Sequence, residues 1–294
     1  MSRSIDQAVR QLAVRGYAVV DDVIPAADIA ALRETTIELY RGDPGVAAKQ
    51  TAPGKNLLAH LELLPAKGRL YETFFLHPAV HEIVARFLGP DFIANDIYSM
   101  GLLPGYSGRP FHVDEPMSAP THTLAVNVLY PLTDFTSDNG ATRFLPGSHL
   151  YPSTSRDAFT AWLADQPTSV AGEVAVAAPA GSALLLLGGV YHAPGSNTTD
   201  QPRPALASLF TVPWMKPYID FPRALPAPVL ERASPTALRL FGFGSVVPHT
   251  ERWSWEESSR GRALQWAAAG QPAAGIGRFD ARQYARPANP DSRP

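Results

Sequence analysis

Residues 180–195 read Ala-Gly-Ser-Ala-Leu-Leu-Leu-Leu-Gly-Gly-Val-Tyr-His-Ala-Pro-Gly, and this stretch is the most informative part of the chain about its fold. Its first glycine marks a turn, and the apolar run 182–187 has the length of one buried strand. His192 follows this run closely, so the strand would place the imidazole on a rigid element. The stretch therefore predicts a β-rich core that carries a histidine near a strand end.

Similar short apolar runs lie on both sides of this stretch. Turns of glycine, proline and asparagine separate them, and the runs cover residues 92–100, 121–132, 141–145, 172–177 and 205–213. Many short strands with turns at this spacing are typical of a β-sandwich or a β-barrel. We predict a mainly β protein with flanking helices, whose core is a double-stranded β-helix of the cupin-like jelly-roll type.

Helical periodicity dominates the first 90 residues and returns near the C-terminus. The first expected helix begins at a Ser4-x-x-Gln7 capping box and ends at Gly16, and a strand at 17–20 follows it. A second helix would have Ile29, Leu32, Thr36 and Tyr40 on one side. Further helices are expected from Pro78 to near Gly89, at 228–242 and at 253–269. We predict one domain over residues 1–294, with a helical N-terminal buttress (about 1–90), the jelly-roll core (about 91–214) and a C-terminal extension (about 215–294).

Composition narrows the class of protein. The chain has 294 residues, 45% of them hydrophobic, and a formal net charge of −2. This balance argues against nucleic acid or an anionic membrane as a partner. Cysteine is absent, which excludes disulfides and thiolate metal sites. The chain also has no apolar leader and no apolar run of about 18 residues, so the sequence predicts a cytoplasmic enzyme for a small molecule; a homodimer is compatible with it.

Three side chains form a candidate metal site. His112 and Asp114 stand two residues apart, so in an extended segment their side chains point the same way, whereas Glu115 faces elsewhere. With His192 they supply the two imidazoles and one carboxylate of a facial triad. Such a triad leaves the opposite face of an octahedral ion open and marks non-haem iron(II) oxygenases. Asp114 is therefore the preferred carboxylate ligand.

Further residues connect this triad to a known family. Arg203 stands eleven residues after His192, at the start of the apolar run 205–212, and a planar guanidinium can hold a carboxylate through two parallel hydrogen bonds. Residues 139–149 read Asn-Gly-Ala-Thr-Arg-Phe-Leu-Pro-Gly-Ser-His. Together with the His-x-Asp pair, these features resemble the phytanoyl-CoA dioxygenase family of iron(II)- and 2-oxoglutarate-dependent oxygenases over residues 92–214.

The resemblance implies iron(II) at His112, Asp114 and His192, with 2-oxoglutarate held by Arg203 and O2 as the oxidant. It also implies hydroxylation of a small organic molecule, or its desaturation, epoxidation or cyclisation, with release of succinate and CO2. Specialised natural products are a common substrate class of that family. A carboxylate at position 114 argues against halogenation, because a halide would need its coordination site. One departure is Pro194, where many relatives carry a small hydroxyl residue that bonds the cosubstrate.

Several other residues are weaker candidates. Asn127 interrupts an apolar strand, and it either hydrogen-bonds the cosubstrate from the barrel interior or faces solvent. Two aromatic residues and a methionine after the last strand either wall the substrate pocket or belong to the core, and a pocket with few cations would suit a neutral substrate. The residues concerned are Trp214, Met215 and Tyr218. The loop 105–110 is either a lid or a plain connection.

Four histidines are weaker still as metal ligands. They lie in a turn, at a helix entry or without a carboxylate two residues on, where backbone contacts, capping or exposure are the simpler roles. These are His77, His81, His122 and His149.

Two other functions fit the same pattern. A cupin isomerase or hydrolase would use the metal without 2-oxoglutarate, and Arg203 would then be a surface or ion-pair residue. A lectin-like binding module would leave the triad vacant, since a fold alone does not fix function. Metal content and oxygen-dependent succinate release distinguish the three functions.

Overall fold

The computed structural model describes residues 2–51, 57–114, 123–151, 161–163 and 169–243. Helices and strands follow the chain in the order α1 (Ser2–Arg15), β1 (Tyr17–Val20), α2 (Ala26–Gly42), α3 (Pro44–Thr51), β2 (Leu58–Leu61), α4 (Pro78–Leu88), β3 (Ile93–Leu102), β4 (Ala125–Pro131), β5 (Thr142–Phe144), β6 (Val174–Ala175), β7 (Ala183–Leu187), β8 (His192–Pro194), β9 (Ala205–Thr211), α5 (Phe221–Ala224), α6 (Ala227–Arg232) and α7 (Pro235–Leu240). Short 3₁₀ turns lie between β2 and α4 and after β5.

The strands form two sheets. The larger sheet has the order β1-β7-β4-β9-β3-β2, and the smaller sheet has the order β6-β5-β8. All neighbouring strands in both sheets are antiparallel. The order is not sequential, because strands far apart in the chain pair with each other, as β3 does with β9. This is the mainly β, jelly-roll arrangement with flanking helices that the apolar runs predicted.

The larger sheet is covered on both faces, which explains the run of leucines in β7. Leu185 and Leu187 face a core that the sheet shares with the helices. Leu184 and Leu186 face a second core, which lies between the two sheets. A strand with two buried faces needs no alternation of polar and apolar residues, so the run 182–187 is apolar throughout its strand.

The N-terminal helices cover the outer face of the larger sheet. α1 buries Ile5, Ala8 and Leu12, and α2 buries Leu32 and Tyr40. These positions repeat at helical spacing, so packing of an apolar stripe stabilises both helices. This packing agrees with the flanking helices that the sequence predicted, while the buttress over about residues 1–90 stays a prediction. Among the described helices, none is both long and apolar enough to cross a membrane.

The structure also departs from the predicted elements. α1 begins at Ser2, so Ser4 lies inside the helix and does not cap it. The helix predicted at 228–242 is two helices, because the Ser234 side chain accepts the Ala237 N–H at 3.1 Å and starts a new helix. Periodicity did not indicate α3 or β2. The helix predicted at 253–269 lies outside the described residues, so the single-domain division stays a prediction.

Candidate active site

The backbone brings His112, Asp114 and His192 together. His192 opens β8, and His112 pairs with it in an antiparallel bridge. The His112 N–H donates to the His192 carbonyl at 3.0 Å, and the His192 N–H donates back to the His112 carbonyl at 2.9 Å. The Asp114 N–H donates to the Gly188 carbonyl, also at 2.9 Å. Main-chain hydrogen bonds therefore fix the position of every member of the predicted triad.

The three side chains converge as the His-x-Asp spacing predicted. Their candidate ligand atoms all lie within 4.8 Å of one another. One carboxylate oxygen of Asp114 lies 3.8 Å from Nε2 of His112, and the other lies 3.7 Å from Nε2 of His192. These distances are too long for hydrogen bonds. Two imidazole nitrogens and a carboxylate around one point are a donor set suited to a divalent metal.

Burial sets the charge state of these groups. Burial, reinforced by the neighbouring His192, lowers the pKa of His112 to about 3, so its imidazole is neutral at pH 7. Burial would raise the pKa of Asp114, but the two imidazoles and the Asn127 amide outweigh it and hold that pKa below its usual range. Nδ1 of His192 lies 3.1 Å from the Val190 carbonyl, which suits a ring whose Nε2 is free. Neutral imidazole and ionised carboxylate are the forms that bind metals.

Asn127 contacts the triad directly. It lies on β4 between Val126 and Val128, whose side chains face the helix-covered core. Its amide nitrogen donates to Oδ2 of Asp114 at 2.9 Å and to the Tyr98 hydroxyl at 3.0 Å. Asn127 is only 5% exposed, so the alternative of a solvent-facing side chain is wrong. Its amide oxygen has no partner among the described residues, and cosubstrate binding by Asn127 stays a prediction.

Replacing Asn127 by leucine should weaken divalent-metal binding by about 10- to 100-fold, because outer-shell partners of metal ligands typically contribute that much. The matched control is Tyr98→Phe, which removes the other contact of the same amide and leaves the bond to Asp114 in place. Anaerobic metal titration by calorimetry measures both variants. An unchanged dissociation constant in Asn127→Leu would show that Asp114 is oriented without the amide.

Neighbouring segments hold the triad-bearing strands in place. Ser148, from the segment 139–149, accepts the Tyr191 N–H at 2.9 Å with its hydroxyl, one residue before β8 begins. The Arg143 guanidinium lies 5.0 Å from the centroid of the Phe111 ring. It also donates to the carbonyl of Arg109, two residues before Phe111. The segment that resembles a family motif therefore supports the site by positioning its strands.

Arg203 is a buried cation with an unsatisfied edge. The residue is 1% exposed, and its guanidinium lies 4.0 Å from the centroid of the Phe135 ring. Nη1 donates to the Gly140 carbonyl at 2.9 Å, whereas Nε and Nη2 have no partner among the described residues. Nε and Nη2 form one edge of the planar guanidinium, which can bind a carboxylate through two parallel bonds. Burial lowers the pKa of Arg203 to about 10, so the side chain is still charged at pH 7.

The alternative roles considered for Arg203 do not fit its surroundings. It is not a surface residue, and no carboxylate among the described residues forms an ion pair with it. A buried charge that lacks its counter-ion is strongly destabilising, which points to a missing anionic partner. Arg203 pairs through its backbone with Leu102, and it lies outside the lining of the cavity that contains the triad.

Gly140→Ala should destabilise the protein by about 2 to 5 kcal/mol, since it combines a left-handed backbone with overpacking. Gly140 has a φ of 91°, and an added Cβ would lie 2.5 Å from Cδ1 of Leu102 and 2.8 Å from the Gly195 carbonyl oxygen. Gly172→Ala is the matched control, because its φ is 85° but an added Cβ meets no atom within 4 Å. Denaturant unfolding of both variants measures the difference, and equal losses would contradict the steric argument.

The triad lies in a cavity of about 460 Å³, a size that fits a small organic molecule. Sequence reasoning missed much of its lining, which includes His60, Glu62, Asp96, Tyr98, Arg109 and Thr142. Two of these side chains are acids and one, Arg109, is a base, so charged groups line the cavity, whereas the sequence suggested a pocket with few cations that would suit a neutral substrate. A signal was available: Asp96 is an acid inside the apolar run 92–100, and a charge in a buried strand costs free energy unless it has a partner or a role.

The three candidates after β9, two aromatic residues and a methionine, have different surroundings. Tyr218 lines the cavity. Met215 packs against the helix-covered core, and Trp214 is 55% exposed. The loop 105–110 is held by the Gly105 N–H, which donates to the Asn197 carbonyl at 3.0 Å. This bond and the one from the Asn197 N–H to the Tyr106 carbonyl at 2.8 Å favour a plain connection over a lid, although the loop contributes Arg109 to the cavity.

Among the described residues, the histidines that the sequence left as weaker ligand candidates contact the backbone or lie at a helix entry. Nε2 of His149 lies 3.1 Å from the Ala13 carbonyl, and Nε2 of His81 lies 2.8 Å from the Phe75 carbonyl. His77 precedes α4 and makes no side-chain cap bond there. None of the three belongs to the metal-ligand cluster found among the described residues. His122 and Glu115 lie outside the described residues.

Comparison with known sequences gives a family match. The profile of the family described as Phytanoyl-CoA dioxygenase (PhyH) matches residues 13–205. Rv1501 of Mycobacterium tuberculosis is 31% identical over 265 residues, which cover 85% of this chain and 91% of that protein. Dioxygenase trt7 of Aspergillus terreus is 30% identical over 212 residues, which cover 68% of this chain and 70% of that protein.

Comparison with solved structures gives the same fold. The α-ketoglutarate-dependent epimerase SnoN from nogalamycin biosynthesis superposes with a TM-score of 0.59 at 19% identity, over 77% of this chain and 89% of SnoN. HygX from Streptomyces hygroscopicus, solved with nickel and 2-oxoglutarate, superposes with a TM-score of 0.57 at 16% identity, over 72% of this chain and 89% of HygX. At such identities the likeness concerns the fold.

Proposed function

The chain belongs to the phytanoyl-CoA dioxygenase family, and from this premise we propose that it is an iron(II)- and 2-oxoglutarate-dependent dioxygenase of a small organic molecule. The products besides the oxidised substrate are succinate and CO2. The observation that carries the proposal is the combination of a converged triad with a buried arginine whose carboxylate-binding edge has no partner among the described residues.

The proposed iron ligands are His112, Asp114 and His192. Their fit to iron rests on the donor set, on the neutral state of His112 and on the ionised state of Asp114. When bound by these three ligands, an iron(II) ion would still have coordination positions for the cosubstrate and oxygen. The Asn127 amide restrains the carboxylate, and the backbone pair between the histidines restrains the two rings.

The proposed anchor of 2-oxoglutarate is Arg203, which would hold the carboxylate distant from the iron. Its Nε and Nη2 groups form the free edge, while the bond from Nη1 to the Gly140 carbonyl fixes the plane of the guanidinium. Pro194 lacks the hydroxyl that many relatives place there. Thr142 lies directly across from Pro194 in the pairing of β5 with β8, and both residues line the cavity. We infer that the Thr142 hydroxyl replaces the missing donor.

Iron and 2-oxoglutarate, when bound, supply the oxidising chemistry, and the protein supplies position and shelter. The triad residues hold the metal, and Arg203 orients the cosubstrate. Apolar side chains such as Leu129, Leu186 and Leu209 line the cavity beside the triad and limit the access of water. A dry site strengthens the electrostatic contacts that Arg203 and Asp114 make.

The proposed substrate class is specialised natural products, and the proposed default reaction is hydroxylation, with desaturation, epoxidation or cyclisation as the other outcomes. Support comes from the cavity volume and from structural neighbours whose names include nogalamycin biosynthesis. Those neighbours include the carbocyclase SnoK from nogalamycin biosynthesis. The cavity volume of about 460 Å³ is within the range of small-molecule binding sites.

The test begins with anaerobic titration of iron(II) and then 2-oxoglutarate into the purified protein, followed by a natural-product screen for oxygen-dependent succinate. The proposal expects one iron per chain, 2-oxoglutarate binding that requires the iron, and succinate formation that a true substrate stimulates. Iron binding without any 2-oxoglutarate binding would instead favour a cupin isomerase or hydrolase. Absence of metal binding would favour a binding module.

A further inference from the structure

A second group of ionisable side chains lies in the same cavity as the triad. Asp96 and Glu62 contribute carboxylates to it, and three residues with rings also line it, namely His60, Tyr98 and Tyr218. Glu62 is exposed, and Tyr218 is 66% exposed, so these two residues lie where the cavity opens to solvent. Asp96 is 7% exposed, so its carboxylate lies deeper. The proposed iron and 2-oxoglutarate sites use none of these residues.

A β-bulge aims Asp96 into the cavity. In the pairing of β3 with β9, Ala94 pairs with Phe210 and Asp96 pairs with Leu209, so Asn95 is an extra residue. Ala94 faces the helix-covered core, whereas Asp96 lines the cavity, although the two would share a face in a regular strand. Bulges commonly re-aim side chains next to active sites.

The bulged Asn95 also positions the opposite wall. Its side-chain oxygen accepts the Tyr218 N–H at 3.0 Å, and its carbonyl accepts the Ile219 N–H at 3.2 Å. Tyr218 and Ile219 both line the cavity. One local irregularity therefore places the Asp96 carboxylate and the aromatic ring of Tyr218 in the same cavity.

The carboxylate of Asp96 is only partly satisfied in this position, because its described hydrogen bond is with the Ile97 backbone. Its Oδ1 is buried without a hydrogen bond among the described residues, and no basic side chain there forms an ion pair with Asp96 or Glu62. Burial and the nearby Glu62 raise the pKa of Asp96 to about 7, against the lowering effect of the Ile97 backbone. A buried, unsatisfied carboxylate is costly, and such groups concentrate at functional sites.

We propose that Asp96 binds a protonated amine of the substrate, with Glu62 at the entrance and the rings of Tyr98 and Tyr218 beside it. This inference rests on the proposed dioxygenase function and names the substrate class: a small natural product with a basic amine. A hydroxyl group would satisfy Oδ1 but would leave the repulsion between the two carboxylates. An ammonium group would donate a hydrogen bond to Oδ1 and would also offset the repulsion between the two carboxylates. Aromatic rings add cation–π attraction.

The first test measures binding of paired fragments to the iron(II)- and 2-oxoglutarate-loaded protein without oxygen. The probes are benzylamine and cyclohexylamine, each with its alcohol, benzyl alcohol or cyclohexanol, as the neutral counterpart. Asp96→Asn should weaken binding of the amines by about 10- to 100-fold and leave the alcohols within about 3-fold, because only the amine loses a charge-assisted bond. Glu62→Gln should give a smaller loss, and Glu82→Gln, on α4 away from the cavity, should give none.

The second test uses the stability of the free protein. The pKa of Asp96 is raised from 3.8 to about 7 in the folded protein. Ionisation of this carboxylate therefore lowers the free energy of unfolding as the pH rises through that range. Asp96→Asn should therefore raise the melting temperature at pH 8 more than at pH 5. Added benzylamine should narrow that gap by stabilising the wild-type protein. The other titratable groups that line the same cavity are His60, Glu62, Tyr98, Arg109, His112, Asp114, His192 and Tyr218.

Two results would overturn the amine assignment. One is equal binding of amines and alcohols by the wild-type protein, including no binding of either. The other is an Asp96→Asn variant whose amine affinity is unchanged, or which loses amines and alcohols equally. Failure of the proposed dioxygenase function is distinguishable, because it appears as absent 2-oxoglutarate binding in the wild-type protein, whereas amine binding can be measured on the metal-loaded cavity alone.

Discussion

His192→Ala should abolish oxygen-dependent succinate formation and leave the fold intact. His192 supplies one of the two imidazoles of the triad, and its Nε2 lies 3.7 Å from the Asp114 carboxylate. Removal of an outer-shell partner of a metal ligand costs about 10- to 100-fold in metal affinity, and removal of a ligand itself should exceed that range. We therefore expect iron affinity to fall by more than about 100-fold and turnover to reach the background rate.

The measurement combines anaerobic iron titration, succinate assay and thermal unfolding of the metal-free protein. His149→Ala is the matched control, because that imidazole contacts the Ala13 carbonyl and lies outside the cavity. It should keep both iron binding and turnover. A His192→Ala protein that retained most of its iron affinity and activity would remove His192 from the triad.

Local patterns were sufficient to predict most of the fold. Residues 183–187 of the apolar run form a strand because they pack on both faces of a covered sheet, and Gly181 and Gly188 limit its length. Where two local signals competed, the prediction was wrong. Pro235 opens a new helix with Ser234 as its cap, so an apolar pattern that continues past it does not make one helix. The pairing order of the strands depends on contacts between distant residues, which periodicity does not record.

The residues of the candidate site also differ in whether a local pattern was enough to predict them. His112 and Asp114 were predictable as a pair, because residues two apart in an extended segment share a face. The role of Asn127 depends on its contact with the Asp114 side chain, which lies on another segment, so the sequence left two orientations of Asn127 open. Asp96 was missed because its orientation depends on the bulge at Asn95. A bulge forms in the pairing of β3 with β9, and no single strand reveals it.

Asp96 and Arg203 share a physical property that sequence patterns do not contain. Both are buried, and each carries polar atoms without a partner among the described residues. Isolated buried charges destabilise a protein, so a fold that keeps them is expected to satisfy them with a bound ligand. The two charges have opposite sign, which assigns them opposite ligands: an ammonium group for Asp96 and a carboxylate for Arg203.

Arg203→Ala should weaken 2-oxoglutarate binding by about 2 to 4 kcal/mol, which is about 30- to 1,000-fold in the dissociation constant. The loss has two parts, the charge-assisted bidentate bond and the desolvation of a carboxylate that no longer has a partner. Arg203→Lys keeps the charge but not the planar edge, so its affinity should fall between those of the wild type and Arg203→Ala. Iron binding should persist in both variants, because Arg203 is not a proposed ligand.

The control for Arg203 is Arg239→Ala, because Arg239 also lies over an aromatic ring and donates to backbone carbonyls, yet those carbonyls belong to Pro90 and Phe92, which take no part in the proposed site. Calorimetric titration of 2-oxoglutarate into the iron-loaded proteins separates the two arginines. Equal losses in both variants would mean that a general loss of stability lowers affinity. An Arg203→Ala protein with wild-type affinity would place the cosubstrate carboxylate elsewhere. The unpaired Nε and Nη2 groups of Arg203 would then need another anion, because burial without a partner would still destabilise the fold.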